Sequence, residues 1–498
     1  MDHNDLKNDN ESFPAGTPQD APEETKLPET PEGTASDGFS APGEPEKETG
    51  AEPAETPEPD MKERKEEEKK SKAKEKKEKK KKDGSDSFFK DRKNVVRLIL
   101  FIVALSVAVT AIAVGVYQVT NKEPGYYEIE LTSDSAVPTY SAGLHLEYYL
   151  TGSSNEIKAA NMQLTEDFTA AAKRSFQRLD SLRTYVGVDS VATVNASAGE
   201  AVRIDAELLD VLADAYERTK SADGYNMFAG VLYGFWDTLL YNYDPVSSDP
   251  LVSADQAELL TAIEGYVNDL SGFTFEIDRE KGTVLFDYAD GLKTLIADYG
   301  FEWPVLDLNL LRDAYRLDML KAELERKGWT NGRLYTEDGL SVVLSGNAGA
   351  SLYLYTRKEA SAYGVRTAYV TAGAGAKGAL FRNFAFDKDE TGFYSFSDGE
   401  TTVFRTKFHT SPAETGFVES ALTVSESLSL VELCCADIAA MRCATLEELR
   451  NALKPYAENV TLLVSLRGEE YDGVVFTNDV ASVSFDSAAG ILPAELFE

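Results

Sequence analysis

The sequence FTFEIDREKGTVLF, residues 273–286, decides the fold class. Apolar side chains alternate with polar ones on both sides of a central turn, at Phe273, Phe275 and Ile277 before the turn and at Val284 after it. A period of two is typical of a half-buried strand, and the charged residues and glycine between the two runs favour a turn. The segment therefore predicts a β-hairpin.

Helical patterns surround this hairpin, and further short strands follow it. Apolar residues at intervals of three and four predict helices over 162–186, 204–219, 253–267 and 310–324. Strands are predicted at 340–344, 352–355, 367–370, 393–396, 403–408, 460–466, 474–476 and 483–485, and helices at 433–440 and from 446. Helices and antiparallel hairpins without strict β-α alternation favour an α+β fold with mixed or antiparallel sheets and flanking helices.

The first part of the chain differs from the rest in composition. Residues 1–60 are rich in Pro and Glu and poor in aliphatic side chains, which predicts a disordered tail. A lysine-rich segment, 61–97, precedes an uncharged apolar segment, 98–118, that is long enough to cross a bilayer as one helix. We expect a linker at 119–142 and one folded domain at 143–498.

The charge asymmetry around residues 98–118 predicts the topology. Lysine and arginine crowd the amino-terminal flank, so this side is expected in the cytoplasm and the folded domain outside it, as in a single-pass type II membrane protein. A cleaved signal peptide is the competing interpretation, but roughly ninety residues before the apolar core are too many for its basic region. The lysine run is expected to contact membrane lipid, with nucleic-acid binding as the alternative.

The net charge of the whole chain is −35, although the lysine-rich segment contributes to it. The folded domain on its own is therefore strongly acidic. Nucleic acids are polyanions and would be repelled by such a surface. We expect that the folded domain has no nucleic-acid partner.

Five short strings in the folded domain stand in an order that resembles the ApbE family of FAD:protein FMN transferases. They are SVATVNASAG (190–199), DGYNMFAGVLYGFW (223–236), DLNLLRDAYRLD (307–318), HTSPAETG (409–416) and CADIAAM (435–441). The resemblance implies an extracytoplasmic domain that uses FAD and Mg²⁺ to pass FMN to a Ser or Thr hydroxyl of a flavoprotein partner. In such a phosphoryl transfer, a cation neutralises the pyrophosphate and a base assists the acceptor hydroxyl.

The resemblance also implies roles for individual residues. Asp437 corresponds to a metal-binding aspartate, with capping of its own helix as the alternative. His409 corresponds to a histidine beside the transferred phosphate and is the candidate base, while a surface histidine without a catalytic role is the alternative. The residues implied to line the FAD site are Asp307, Asp313, Gly339, Thr415 and Gly416.

The chain departs from the family at several of these positions. Met441 replaces a metal-binding threonine, and a thioether is a poor ligand for a hard cation. Asn309 and Leu310 replace two glycines, and Asp313 replaces a lysine, which is expected to crowd the cofactor and repel phosphate. These changes predict a degenerate site. The alternative to a transferase is a non-catalytic module of the cell envelope that binds a flavin or a partner protein.

Overall fold

The computed structural model describes residues 96, 99–111, 121–131, 143–220, 225–242, 244–347, 349–357, 364–386, 390–399, 401–406, 416–486 and 490–497. The chain forms two compact units, Met1–Val103 and Ala104–Glu498. Residues 99–111 are helical and exposed. The remainder of the predicted membrane segment, the predicted tail and nearly all of the lysine-rich segment lie outside the described residues. Within the described residues, no helix combines the length and the apolar character needed to span a membrane.

A nine-stranded sheet forms the centre of the second unit, as far as the structure describes it. Its order is β1-β2-β6-β7-β10-β13-β14-β15-β17. The strands are Gly125–Ile129 (β1), Leu144–Leu150 (β2), Gly332–Thr336 (β6), Ser341–Val343 (β7), Lys377–Arg382 (β10), Val418–Ser425 (β13), Thr461–Leu466 (β14), Val474–Thr477 (β15) and Leu492–Glu495 (β17). Neighbouring strands are antiparallel except β15 and β17, which are parallel. The first and the last strand thus form the two edges of the sheet.

Smaller sheets accompany the central one in the described residues. Ala350–Arg357 (β8), Gly364–Ala372 (β9) and Val483–Phe485 (β16) form a sheet in the order β16-β9-β8. Ala201–Arg203 (β3), Phe273–Asp278 (β4) and Thr283–Tyr288 (β5) form another in the order β3-β5-β4, and Phe393–Asp398 (β11) pairs with Thr401–Thr406 (β12).

Strand β13 is buried along its whole length because both faces of the central sheet are covered. Successive side chains of a strand point to opposite faces. Ala421 accordingly packs in the larger apolar core, which the helices complete, while Leu422 packs in a second core together with residues of β8 and β9. The central sheet is therefore the shared wall of two hydrophobic cores.

Several helices of the second unit begin at a Ser, Thr or Asp N-cap. The helix bounds are Ser154–Leu179, Val191–Ala196, Ala206–Thr219, Gly230–Leu240, Ala254–Val267, Asp290–Tyr299, Arg312–Arg326, Leu430–Met441 and Leu446–Leu453. The predicted N-cap Ser253 accepts a hydrogen bond from the backbone nitrogen of Gln256 (3.4 Å). Thr445 caps the last helix through the nitrogen of Glu448 (3.2 Å).

The α+β class and the hairpin predicted at 273–286 are confirmed, since β4 pairs with β5 and places Phe275 opposite Phe286. The first helix begins earlier than predicted, at Ser154, because its first turn is polar and carries no helical apolar pattern. The segment 119–142, predicted as a linker, contains β1, whose residues pair with β2 from Gly125 to Ile129. The sheet thus starts inside this segment, before residue 143.

A buried charged cluster fixes the β11–β12 hairpin to the helical part of the unit. The carboxylate of Asp249 accepts hydrogen bonds from Arg405 Nε (2.8 Å) and from the hydroxyl of Tyr394 (2.7 Å). Asp249 and Arg405 are both completely buried, and the guanidinium lies 5.5 Å from the ring centroid of Trp236. A charge at such depth is tolerated only because its partner is in place.

Candidate functional site

A cleft of about 760 Å³ lies beside the helix Gly230–Leu240. The segment 302–313 forms the opposite wall, and residues 181–183 and 338–340 contribute to the ends. Its aromatic side chains are Tyr233, Tyr241, Trp303 and Phe381, and its charged side chains are Arg183, Asp237, Glu302, Asp307, Arg312, Asp313 and Asp338. A concave site with aromatic walls and a few polar groups is the usual form of a small-molecule site.

Two glycines set the shape of the wall formed by the helix Gly230–Leu240. A Cβ on Gly230 would lie 2.3 Å from the carbonyl oxygen of Pro304, and one on Gly234 would lie 2.3 Å from Cγ of Trp303. The helix and the segment 302–313 can approach each other only because these side chains are absent. Trp303 is held on its other face by Phe301, whose ring centroid lies 4.1 Å away. The indole is thereby fixed in the wall of the cleft.

Asp307, predicted to line the cofactor site, lies in the cleft and organises a turn there. Its carboxylate accepts hydrogen bonds from the hydroxyl of Ser181 and from the backbone nitrogen of Asn309 (2.6 Å). Asn195, from another of the five strings, donates to the carbonyls of Ser181 (3.1 Å) and Leu306 (2.8 Å). These bonds join two of the five strings, 190–199 and 307–318, to the segment around Ser181 at one end of the cleft.

Asn309 replaces a glycine without changing the backbone that the glycine would adopt. Its φ is +50°, a left-handed conformation that asparagine tolerates better than most residues. Its Nδ2 donates to the carbonyl of Asn226 (3.2 Å), whereas its Oδ1 is buried and has no hydrogen-bond partner among the described residues. Asn309 and the predicted crowding residue Leu310 both line the cleft.

The predicted loss of positive charge at this site is only partly correct. Arg312, next to Asp313 in the chain, lines the cleft and is accessible to solvent. The enclosing walls alone would lower its pKa, but the nearby carboxylates of Asp307, Asp313, Asp237 and Asp180 raise that pKa above its ordinary value. A cation is thus present, and its charge is surrounded by acids.

Asp313 itself lies in the cleft, as predicted, with its side chain 40% exposed. Its Oδ1 is 3.9 Å from Nη1 of Arg316, a residue that is nearly buried. The expected repulsion of phosphate by Asp313 is therefore reduced, though not removed, by this neighbouring guanidinium.

Gly339 and Gly416, two further predicted cofactor residues, are not among the residues that line the cleft. Gly339 lies between the lining residues Asp338 and Leu340, has a φ of +115°, and would clash with the carbonyl of Leu380 if it carried a Cβ. Gly416 has a φ of +74° and its carbonyl accepts a hydrogen bond from Asn383 Nδ2 (2.9 Å). Both glycines shape turns.

The predicted base His409 and the predicted cofactor residue Thr415 lie outside the described residues, so their roles stay predictions. Of the described residues, Thr406 at the end of β12 and Gly416 are those that flank this segment.

Asp437, the predicted metal ligand, lies in the middle of the helix Leu430–Met441 and is completely buried. It does not cap this helix, because Ser429 is the N-cap and accepts a hydrogen bond from the nitrogen of Glu432 (3.2 Å). Burial raises the pKa of Asp437 well above its ordinary value, and Thr423 counteracts this only in part. Neither carboxylate oxygen has a hydrogen-bond partner within the described part of the chain.

The surroundings of Asp437 do not fit a magnesium ion. Asp437 is not among the residues that line the cleft, and Met441, one turn further on, presents a buried thioether. Hard cations require several oxygen ligands. No group of three or more His, Cys, Asp or Glu side chains able to hold a metal exists in the described residues. The unpaired carboxyl is therefore better explained as a neutral acid than as a ligand.

Sequence reasoning missed Arg312 and Trp303, which the structure brings to the cleft. The lysine of the family corresponds to position 313 of this sequence. Arg312, the preceding residue at the start of the same helix, can reach the same space. A signal for Trp303 does exist in the sequence. Gly230 and Gly234 are four residues apart, and this spacing leaves a smooth helix face for a large ring.

Comparisons with known proteins find similar solved structures for this chain. No family model matches the chain, and no curated protein does. The ApbE protein of Thermotoga maritima is 15% identical, and the match covers 70% of this chain and 98% of that one with a TM-score of 0.45. The flavin transferase ApbE of Vibrio cholerae is 13% identical, with coverages of 74% and 99% and a TM-score of 0.47. The flavinyl transferase ApbE of Pseudomonas stutzeri is 12% identical, with coverages of 70% and 93% and a TM-score of 0.44. At these identities the likeness concerns the fold alone.

Proposed function

We propose that this chain is an ApbE-like flavin-binding protein whose cleft holds the flavin ring, and that metal-dependent FMN transfer is not its principal activity. The observation that carries the proposal is the composition of the cleft. Aromatic rings line it, and the buried Oδ1 of Asn309 lacks a partner there, among the described residues. A flavin ring is planar and aromatic, and it carries an N–H group that an unpaired acceptor can bind.

The same cleft gives no support to the metal that transfer would need. Asp437 is buried away from the lining residues, and its neighbour Met441 is a soft donor. Flavin binding requires only the aromatic walls and neutral hydrogen bonds, whereas FMN transfer also requires that the pyrophosphate of FAD be neutralised. The described residues therefore favour the binding function, which is the alternative that the sequence left open.

Flavin binding is tested with the purified full-length protein in mild detergent. As protein is added to riboflavin, the fluorescence of riboflavin should decrease until binding is saturated. Trp303→Ala should weaken binding by roughly three- to tenfold, because the cleft loses the apolar surface that the edge of the indole provides. The matched control is Tyr126→Ala, which removes a ring that is 50% exposed on β1, outside the cleft. Equal affinity of the Trp303 variant and the wild type would contradict the proposed location.

A second candidate function is FMN transfer to a hydroxyl of an extracytoplasmic flavoprotein. Its support is the string 409–416, whose last residue, Gly416, has the left-handed backbone of a tight turn. In this function His409 would assist the acceptor hydroxyl, Asp437 would bind Mg²⁺, and Asp307, Asp313, Gly339, Thr415 and Gly416 would surround FAD.

The transfer reaction has a direct assay. Full-length protein is incubated with FAD, Mg²⁺ and a flavoprotein acceptor, and the acceptor is examined by mass spectrometry for attached FMN. We expect no attachment. Attachment by the wild type that disappears in both His409→Ala and Asp437→Ala would establish the second function and would remove the proposal of a purely binding role.

We also propose that residues 98–118 anchor the protein in the membrane, with the amino terminus in the cytoplasm and the folded domain outside. The support is the uncharged apolar sequence and its basic flank. The full-length protein should sediment with membranes and resist carbonate extraction. External protease should degrade the folded domain of intact cells, and protection of that domain would contradict the orientation.

A further inference from the structure

We infer that the cleft selects an uncharged flavin, riboflavin or a closely similar molecule, over the phosphorylated forms FMN and FAD. This inference rests on the proposed flavin-binding function and specifies its ligand. The lining carries five carboxylates, on Asp237, Glu302, Asp307, Asp313 and Asp338, and two guanidinium groups, on Arg183 and Arg312. The acids of the lining thus outnumber its bases.

Arg312 does not offset this excess for an incoming phosphate. Four carboxylates already stabilise its positive charge, those of Asp307, Asp313, Asp237 and Asp180. A phosphate that approaches Arg312 must also approach these acids, and like charges at short range cost several kcal/mol in recognition. A phosphate monoester carries a charge of about −1.5 to −2 at neutral pH, so the repulsion applies to FMN as well as to FAD.

The described residues do not offer a metal site that would compensate the charge of such a ligand. A divalent cation could bridge phosphate and carboxylates, but the described residues contain no cluster able to hold one by itself. Asp437, the residue implied to hold the metal, is fully buried and is not part of the lining.

The neutral part of a flavin, in contrast, finds suitable partners in the cleft. Asn309 lines the cleft, and its Oδ1 is buried with no hydrogen-bond partner among the described residues, so it can accept a bond from a ligand N–H if the amide turns towards the cleft. Trp303 is fixed by Phe301 on one side and packs on Gly234, so its ring is ordered before the ligand arrives. A preorganised wall lowers the entropic cost of binding. The cleft therefore suits the flavin ring and opposes its phosphate.

The inference is tested by comparing three ligands on one protein. The full-length protein is titrated with riboflavin, FMN and FAD in EDTA at low ionic strength, and fluorescence quenching gives the dissociation constants. We expect FMN and FAD to bind at least about tenfold more weakly than riboflavin. The difference should shrink in 0.5 M salt, because screening shortens the range of the repulsion to roughly 4 Å.

Removing one acid from the cleft should strengthen the binding of FMN. Asp313→Asn is expected to improve the affinity for FMN by roughly three- to tenfold relative to its effect on the affinity for riboflavin. Glu302→Gln, which alters an exposed side chain and so threatens the fold least, should act in the same direction. The matched control is Asp210→Asn, since Asp210 is 64% exposed and lies outside the cleft.

The outcomes separate this inference from the function on which it rests. If none of the three flavins binds, the flavin-binding function itself fails and the inference fails with it. If riboflavin binds but FMN or FAD binds equally tightly in EDTA, the charge selection is wrong and flavin binding stands. If neither acid-removing variant improves FMN binding while both remain folded by circular dichroism, the assigned cause of the selection is wrong.

Discussion

Removing the carboxylate of Asp249 should destabilise the folded domain strongly. Asp249→Ala leaves the guanidinium of Arg405 without the 2.8 Å hydrogen bond that compensates its charge. Both residues are completely buried, so water cannot replace the lost partner. The hydroxyl of Tyr394 loses its acceptor in the same variant. Breaking a buried ion pair on one side typically costs about 3–5 kcal/mol.

The expected change in melting temperature follows from the size of the domain. An unfolding entropy of about 2.1 cal/mol/K per residue over roughly 350 residues gives about 0.7 kcal/mol/K, so a loss of about 4 kcal/mol lowers Tm by about 5 °C. The assay is urea or thermal unfolding followed by tryptophan fluorescence. Trp236 is a local reporter, because the guanidinium of Arg405 lies 5.5 Å from its ring centroid.

A matched control removes an acid of an exposed ion pair. Asp210 and Arg279 pair at the surface with 64% and 61% of their side chains exposed, so Asp210→Ala should cost less than about 1 kcal/mol. Combining Asp249→Ala with Arg405→Met should recover part of the loss, because no unpaired charge remains buried. If Asp249→Ala costs as little as Asp210→Ala, the buried pair does not stabilise the fold as inferred.

Two further predictions concern the buried acid and the cleft wall. The folded state holds the proton of Asp437 more tightly than the unfolded chain, so stability should decrease as pH rises above about 4. The asparagine of Asp437→Asn cannot lose a proton, so this variant should be more stable than the wild type at pH 7, and the difference should vanish near pH 4. The midpoints of urea unfolding at both pH values measure the difference. A variant that is less stable than the wild type at pH 7 would contradict the prediction. Gly234→Ala should displace Trp303, cost roughly 1–3 kcal/mol and weaken riboflavin binding. Gly265→Ala, on a helix face with no atom within 4 Å, should leave binding unchanged and raise the melting temperature slightly, because alanine is the better helix former. Equal behaviour of the two variants would exclude a special role for Gly234.

The elements that could be predicted from the sequence are those whose periodicity is visible along the chain. The hairpin 273–286 has one polar face, so its alternation is clear, and β4 and β5 form there. Strand β13 was missed because both of its faces are buried, and a strand without a polar face loses its alternation. The first strand was missed because its partner β2 lies beyond residue 143, and pairing between distant segments leaves no local signal.

The site was predictable at single positions and not as a set. Asp307 and Asp313 do lie together in the cleft. The position of Asp437 was not predictable, because its motif gives the residue type and says nothing about which face of the helix turns towards the core. The pKa of Arg312 depends on four acids from three segments of the chain, and only the fold brings these segments together.

The two edges of the central sheet are formed by strands from opposite ends of the folded domain, so the sheet is complete only when the last strand has formed. Strand β1 closes one edge, and β17, more than 350 residues later in the chain, closes the other by parallel pairing with β15. Until Leu492–Glu495 has been synthesised, β15 presents unpaired backbone groups that can join another chain. The carbonyl of Leu496, which accepts a hydrogen bond from Arg450 (2.6 Å), then fastens this last strand. A ribosome that releases the chain gradually therefore delivers a nearly finished domain whose sheet still has one unpaired edge.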